Sequence, residues 1–333
     1  MDTKALNRLN LIRDRVYRYD VSPLYDDPNP IIKYSRDQYG LRGTYGSPDN
    51  IDILTVGGST TEQRFIRDGE TWQDVLQECF ERTGPTIIVA NAGVGGQSTY
   101  GHIKNFEWWF PHVPGLKPSY VLFYIGLNDF YVKVGKKQDS LVLGTLRGHS
   151  ALWNIQRTLR GVYRAIVIAQ VGYFYVDFGK IEWTKNALWN DYGFMAQRLA
   201  EYASRLRTLL DMTYTFGAKP ILVSQPSRRY KITLDGLVGH EGIRSYDDHQ
   251  FNGVDYYHMM RRLDSVTAAV AGEKGALFVD LASQKGWTDT DFHDFLHMTP
   301  QGVRKVGALL CDALNKSVSF DKKHFRITEV ASK

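Results

Sequence analysis

The residues that could do chemistry fall in four short segments. Gly57-Gly58-Ser59-Thr60 directly follows an apolar run. A serine in a glycine-flanked turn between a strand and a helix stands at the edge of a sheet, where neighbouring backbone N–H groups can hold a developing oxyanion. Far along the chain, Asp294 precedes His297 by three residues. A carboxylate so placed can reach the imidazole Nδ1 and fix the tautomer, which leaves Nε2 as a base for a hydroxyl. Between them lies the stretch from Asn91 to Ser98, where Gly96 could turn its N–H towards a substrate, and then Gly126-Leu127-Asn128-Asp129, where the Asn128 amide offers another donor. Each segment also has an ordinary reading. Gly-Gly-Ser forms a turn and caps a helix, the glycines and Asn-Asp make turns, and Asp294 with His297 caps the helix that Thr299 and Pro300 open. Together they are a nucleophile, two donors and an oriented base, the set that acyl transfer needs.

Such residues work only if the fold brings them to one place. Five apolar runs, residues 52–56, 86–90, 120–125, 220–224 and 276–281, are rich in Val, Ile, Leu and Phe and bounded by Gly, Pro or Asn, which predicts strands buried on both faces. Helical spacing lies between them, as in Trp72, Val75, Leu76, Cys79 and Phe80, or Leu199, Tyr202, Ala203, Leu206, Leu209 and Leu210. Strands alternating with helices predict a parallel sheet covered on both faces, whose ligands sit beyond the carboxyl ends of the strands. The four chemical segments follow the first, second, third and fifth runs, so all four belong to that edge. Residues 1–50, with a Pro- and Asp-rich stretch at 22–30, are expected to wrap the core. Residues 131–190 leave the β-α rhythm, with an amphipathic stretch at 151–167 and many aromatics, and are expected to form a helical cap over the catalytic edge.

On these blocks the chain resembles the SGNH, or GDSL-like, hydrolase superfamily. Gly57-Gly58-Ser59-Thr60 matches the first block, Asn91 to Ser98 the second, Gly126-Leu127-Asn128-Asp129 the third and Asp294-Phe295-Leu296-His297 the last, within a match running from about residue 50 to 315. The resemblance implies a flavodoxin-like three-layer α/β/α sandwich on a five-stranded parallel sheet. It implies a domain at 51–318, carrying the insertion, between the N-terminal extension and a tail at 319–333. It further implies Ser59 as nucleophile, His297 as base and Asp294 as its orienting acid, with the Ser59 and Gly96 N–H groups and the Asn128 amide as oxyanion hole. No cofactor and no metal are implied. The expected reaction is hydrolysis of a carboxylic ester, such as a small acyl group on a carbohydrate or other hydroxylated metabolite. An O-acyltransferase using the same triad and a non-catalytic ligand-binding module are the alternatives. The sequence departs from the pattern at Gly58, where many relatives have Asp.

Other chemistries fit less well. His293 and His297 echo a zinc-binding HExxH, but Asp replaces Glu and Pro300 follows too soon for a helix through both. A dinucleotide fingerprint would need glycine or alanine where Ser98 stands. The net charge of +5 is scattered among acids, which argues against a nucleic-acid footprint. A composition of 43% hydrophobic and 23% charged residues excludes disorder as the overall state. Aromatics such as Trp108 and Trp109, or Tyr256 and Tyr257, suit core packing better than sugar stacking. No secretory signal or membrane span is read from the chain, membrane-surface contact is not favoured, and nothing fixes an oligomeric state. Cys79 and Cys311 show no CxxC or metal spacing and are expected to be reduced core thiols, which suits a cytoplasmic protein.

Overall fold

The computed structural model describes residue 9 and residues 11–84, 86–135, 174–246 and 249–318. Its centre is a five-stranded parallel sheet built from β3 (Ile53–Gly57), β4 (Val89–Asn91), β5 (Tyr120–Tyr124), β7 (Lys219–Val223) and β12 (Leu277–Val279). The order is β12-β7-β5-β3-β4, with β7, β5 and β3 inside. The register pairs Ile53 with both Val89 and Tyr120, Tyr120 with Lys219, and Leu277 with Ile221. Strands were expected at these five places, and the two outermost are shorter than the expected runs. An edge strand has one neighbour to hydrogen-bond, so its ends leave the ladder first.

Side chains alternate across the sheet. Ile53, Leu122, Tyr124, Ile221 and Val223 enter one buried cluster, while Leu54, Val56, Val121, Phe123 and Leu222 enter the other. The first cluster is closed by α2 (Trp72–Thr83) and α6 (Pro300–Ser317), through Trp72, Leu76, Phe80, Val303, Val306 and Leu310. The second is closed by α3 (Thr99–Trp108), α4 (Ala196–Thr215) and α5 (Gly253–Lys274), through Phe106, Tyr202, Leu206, Leu209, Met259 and Leu263. This is a three-layer α/β/α sandwich. Local signals set the helix starts: Thr71 and Asp74 form a capping box at α2, Asn252 and Asp255 another at α5, and Thr299 caps α6 with Pro300 in its first turn.

Cys79 of α2 and Cys311 of α6 are joined in a disulfide, with Cα atoms 6.3 Å apart and a sequence separation of 232. This corrects the expectation of reduced thiols. The two helices lie side by side on one face of the sheet and bring the sulfurs together, which spacing along the chain could not reveal. The cysteines therefore give no argument for a cytoplasmic location.

The N-terminal region forms an antiparallel hairpin, β1 (Arg15–Asp20) with β2 (Ile31–Arg36). A small cluster of Val21, Leu24, Tyr25 and Ile32 sits beneath it, packed against Phe65. Outside the central sheet, mostly beyond β7, the chain adds antiparallel structure that the sequence did not announce. A three-stranded sheet is ordered β6 (Trp183–Thr184), β9 (Gly236–His240), β8 (Tyr230–Thr233), and a short hairpin pairs β10 (Arg244–Tyr246) with β11 (His249–Phe251). Most of the expected cap, including its amphipathic stretch, lies outside the described residues, as does the tail from 319. Among the described residues no helix is long and apolar enough to cross a membrane.

Candidate active site

Ser59 is the first residue of α1 (Ser59–Glu62), the single turn that follows β3. The N-cap of that turn is Gly58, so the Ser59 hydroxyl is not used as a cap. It faces His297 instead, with Oγ 2.9 Å from Nε2. Nδ1 of His297 lies 2.7 Å from Oδ2 of Asp294. The other oxygen of Asp294, Oδ1, accepts the backbone N–H groups of Leu296 and His297, both at 2.7 Å. The carboxylate is thus fixed by its own turn and presents one oxygen to the imidazole. Burial alone would push the Asp294 pKa up. Its hydrogen bond and charge interaction with His297, with further help from His293 and the His297 backbone N–H, bring it below the usual aspartate range. The group is therefore an anion held against Nδ1 of the ring.

Thr299 alone supplies the cap of α6, which disposes of the reading in which Asp294 and His297 serve as its cap. The 293–297 segment is a turn rather than a helix. The rings of His293 and His297 stack, with centroids 5.8 Å apart, and both nitrogens of His297 are engaged, one with Ser59 and one with Asp294. Burial drives the His293 pKa down to about 4, so that ring is neutral beside His297. Among the described residues no three His, Cys, Asp or Glu side chains are grouped to hold a metal ion.

The donors expected from the second and third blocks arrive at the same edge. Gly96 is exposed and has φ +78°, a backbone conformation that favours glycine, and its N–H meets no acceptor among the described residues. Asn128 lies half-buried, and Nδ2 donates to the Gln97 carbonyl at 2.7 Å. A primary amide has two hydrogens, so this contact aims the group and leaves a second donor. The amide also closes over the serine turn, since a Cβ at Gly58 would fall 2.2 Å from Nδ2. The neighbouring Asp129 is buried and accepts from the Thr99 hydroxyl at 2.6 Å and from Arg205 at 3.3 Å, which pins the third block to α3 and α4.

Beside Ser59 and His297 opens a cavity of about 420 Å³, the solvent at its mouth included, walled mainly by Phe65, Ile66, Trp72, Tyr124, Leu296 and Val303. The wall is apolar, and Trp72, Tyr124 and Val303 belong to the core cluster under the sheet. The segment returning from the insertion touches the same turn: the Val176 N–H donates to the His293 carbonyl at 2.7 Å, and Phe178 packs edge-on to Phe295.

The sequence reading missed a group of residues behind this edge. Arg36 and Arg42, each 4% exposed, and Glu62, 3% exposed, run hydrogen bonds to the backbone of the serine turn and of the second block. Glu62 stands next to a chemical block, where a charged residue normally marks a solvated surface, and Arg36 and Arg42 stand beside no block at all.

A model of the GDSL-like Lipase/Acylhydrolase family matches residues 55–305. No curated protein matches the chain significantly. Similar solved structures include LAE5, an alpha/beta hydrolase from the metagenome of Lake Arreo, Spain, at 15% identity over 80% of this chain and 96% of that one, with a TM-score of 0.46. The esterase EstA from Pseudoalteromonas sp. is similar at 13% identity over 79% and 96%, with a TM-score of 0.44. A mutant of Axe2, an acetyl-xylooligosaccharide esterase from Geobacillus Stearmophilus, is similar at 17% identity over 84% and 97%, with a TM-score of 0.44.

Proposed function

The chain belongs to the GDSL-like Lipase/Acylhydrolase family and is a hydrolase of ester bonds, and from that premise we propose that Ser59, His297 and Asp294 are its catalytic triad. The observation that carries this is the unbroken line of contacts from the Asp294 carboxylate through both nitrogens of His297 to the Ser59 hydroxyl, 2.7 and then 2.9 Å.

In the reaction Ser59 Oγ attacks the ester carbonyl carbon while His297 Nε2 takes its proton, and Asp294 stabilises the imidazolium. The carbonyl oxygen becomes an oxyanion between the Gly96 and Ser59 N–H groups and the Asn128 amide. Loss of one such donor costs about 2.7–4 kcal/mol of transition-state stabilisation. His297 returns the proton to the departing alcohol, and water, activated by the same ring, releases the acid from the acyl-enzyme. The apolar wall beside Ser59 supports an acyl group there, and the preference for a small one such as acetyl rests on the resemblance. The alcohol, a carbohydrate or other hydroxylated metabolite, rests on the resemblance of the four blocks.

The test is mass analysis after exposure to a fluorophosphonate, with peptide mapping, alongside hydrolysis of 4-nitrophenyl acetate. One adduct on Ser59 is expected, together with loss of hydrolysis in Ser59→Ala and a residue of activity about 10⁴-fold down in Asp294→Asn, whose ring would lack its orienting anion. An adduct elsewhere, or a fully active Ser59→Ala enzyme, would refute the assignment.

A further inference from the structure

Behind the candidate oxyanion donors lies a buried ionic brace. Glu62 ends the serine turn, and its Oε2 accepts the Gly95 N–H at 3.0 Å. Its Oε1 accepts from the Tyr34 hydroxyl at 2.8 Å and from Arg64 at 2.8 Å. Arg36 approaches the same oxygen at 4.0 Å. Arg36 itself donates to the carbonyls of Gly93 at 2.6 Å, Asn91 at 3.2 Å and Gly40 at 3.0 Å, and its Nε donates to Tyr34 at 2.9 Å. Arg42 takes the other side of the turn and donates to the carbonyls of Glu62 at 3.0 Å, Gln63 at 2.8 Å and Ile66. A Cβ placed on Gly95 would lie 2.6 Å from Glu62 Oε2 and 4.0 Å from Ser59 Cβ, so this loop passes hard against the Glu62 carboxylate and within van der Waals reach of the serine.

Burying charges is costly unless they are paired and fully hydrogen-bonded. Burial alone would raise the Glu62 pKa, yet Arg64, Arg36 and the bonds from Arg64 and Tyr34 hold it below the ordinary glutamate range. The carboxylate is charged, and it spends that charge on one backbone N–H of the loop. The peptide that follows that N–H carries Gly96.

We propose that Glu62 is a positioning residue: it locks the Gly95–Gly96 peptide so that the Gly96 N–H faces the oxyanion. Tyr34 and Arg36 of the N-terminal hairpin hold Glu62 in place. The proposal rests on the assignment of Ser59 and Gly96 above. It makes the hairpin part of the machinery of the site rather than a wrapping on it. An oxyanion donor acts in the transition state, so loosening it should lower turnover per active enzyme and leave KM almost unchanged. A purely structural role would instead lower the number of active molecules.

The test uses the full chain carrying Glu62→Gln, with hydrolysis of 4-nitrophenyl acetate normalised to sites titrated by the fluorophosphonate. A carboxamide keeps the shape, but in either orientation it turns a donor towards a donor. The expected result is a fall in turnover per titrated site of about 10- to 100-fold, with KM within about threefold of the parent. If that variant does not fold, Tyr34→Phe removes one hydroxyl from the far side of the carboxylate, and turnover per site should fall about threefold. Unchanged turnover per site in a folded variant of either kind overturns the proposal. Failure of the triad assignment would be seen separately, as an active Ser59→Ala enzyme.

Discussion

A side chain at position 58 would have to displace the Asn128 amide, because its Cβ would lie 2.2 Å from Nδ2. The glycine and the direction of that amide are therefore one choice, and a side chain here would need the Asn128 amide to point elsewhere. Gly58→Ala should cost about 100-fold in turnover with little change in KM, since it pushes the proposed oxyanion donor out of line. Steady-state kinetics with a melting curve will check this, and parental turnover in the folded variant would remove Asn128 from the oxyanion hole. At this scale the sequence was partly legible. Ser59, Gly96, Asn128, Asp294 and His297 each stand in a short block after a strand, and the structure gathers all five at one edge. The brace was not legible, because its partners are backbone carbonyls on distant loops. Arg36 and Gly93 are 57 positions apart and obey no spacing rule.

Among elements, the pair α2 and α6 matters most for the site. Trp72 at the start of α2 walls the cavity, and α6 begins three residues after His297. The disulfide from Cys79 to Cys311 locks that pair, closing a loop of 232 residues. Reduction, or Cys311→Ser, should lower stability by about 2–5 kcal/mol, seen as a drop in melting temperature. Alkylation followed by mass analysis should find no free thiol in the unreduced protein and two after reduction. Free thiols in unreduced, air-exposed protein would contradict the bond. The helices themselves were readable from their apolar spacing and caps. Their adjacency was not, since helices on the same face of a parallel sheet can be far apart in sequence. The hairpins after β7 were missed for another reason: short strands such as Tyr230–Thr233 bury too little to leave an alternating pattern.

For the whole molecule, two buried histidines set the response to acid. Burial holds His293 down to about 4 and His102 to about 3, against 6.5 when unfolded. Between these values the unfolded chain binds protons on these rings that the native chain refuses, so what the two histidines contribute to stability is full above about pH 6.5 and falls as the pH drops towards 4. For His293 the loss is on the order of 3 kcal/mol. Urea titrations at pH 7 and pH 4.5 should show this decline, and His293→Gln should flatten it; an equal slope in that variant would contradict a neutral, buried His293. The candidate site also has a position in time. Its nucleophile lies in the first fifth of the chain, and its base follows β12, the last strand of the sheet. On a ribosome that releases the amino end first, the serine turn can be shaped long before His297 exists. The nascent protein is then chemically silent until His297 has been made, and a shortened product ending before that residue has no partner for its serine.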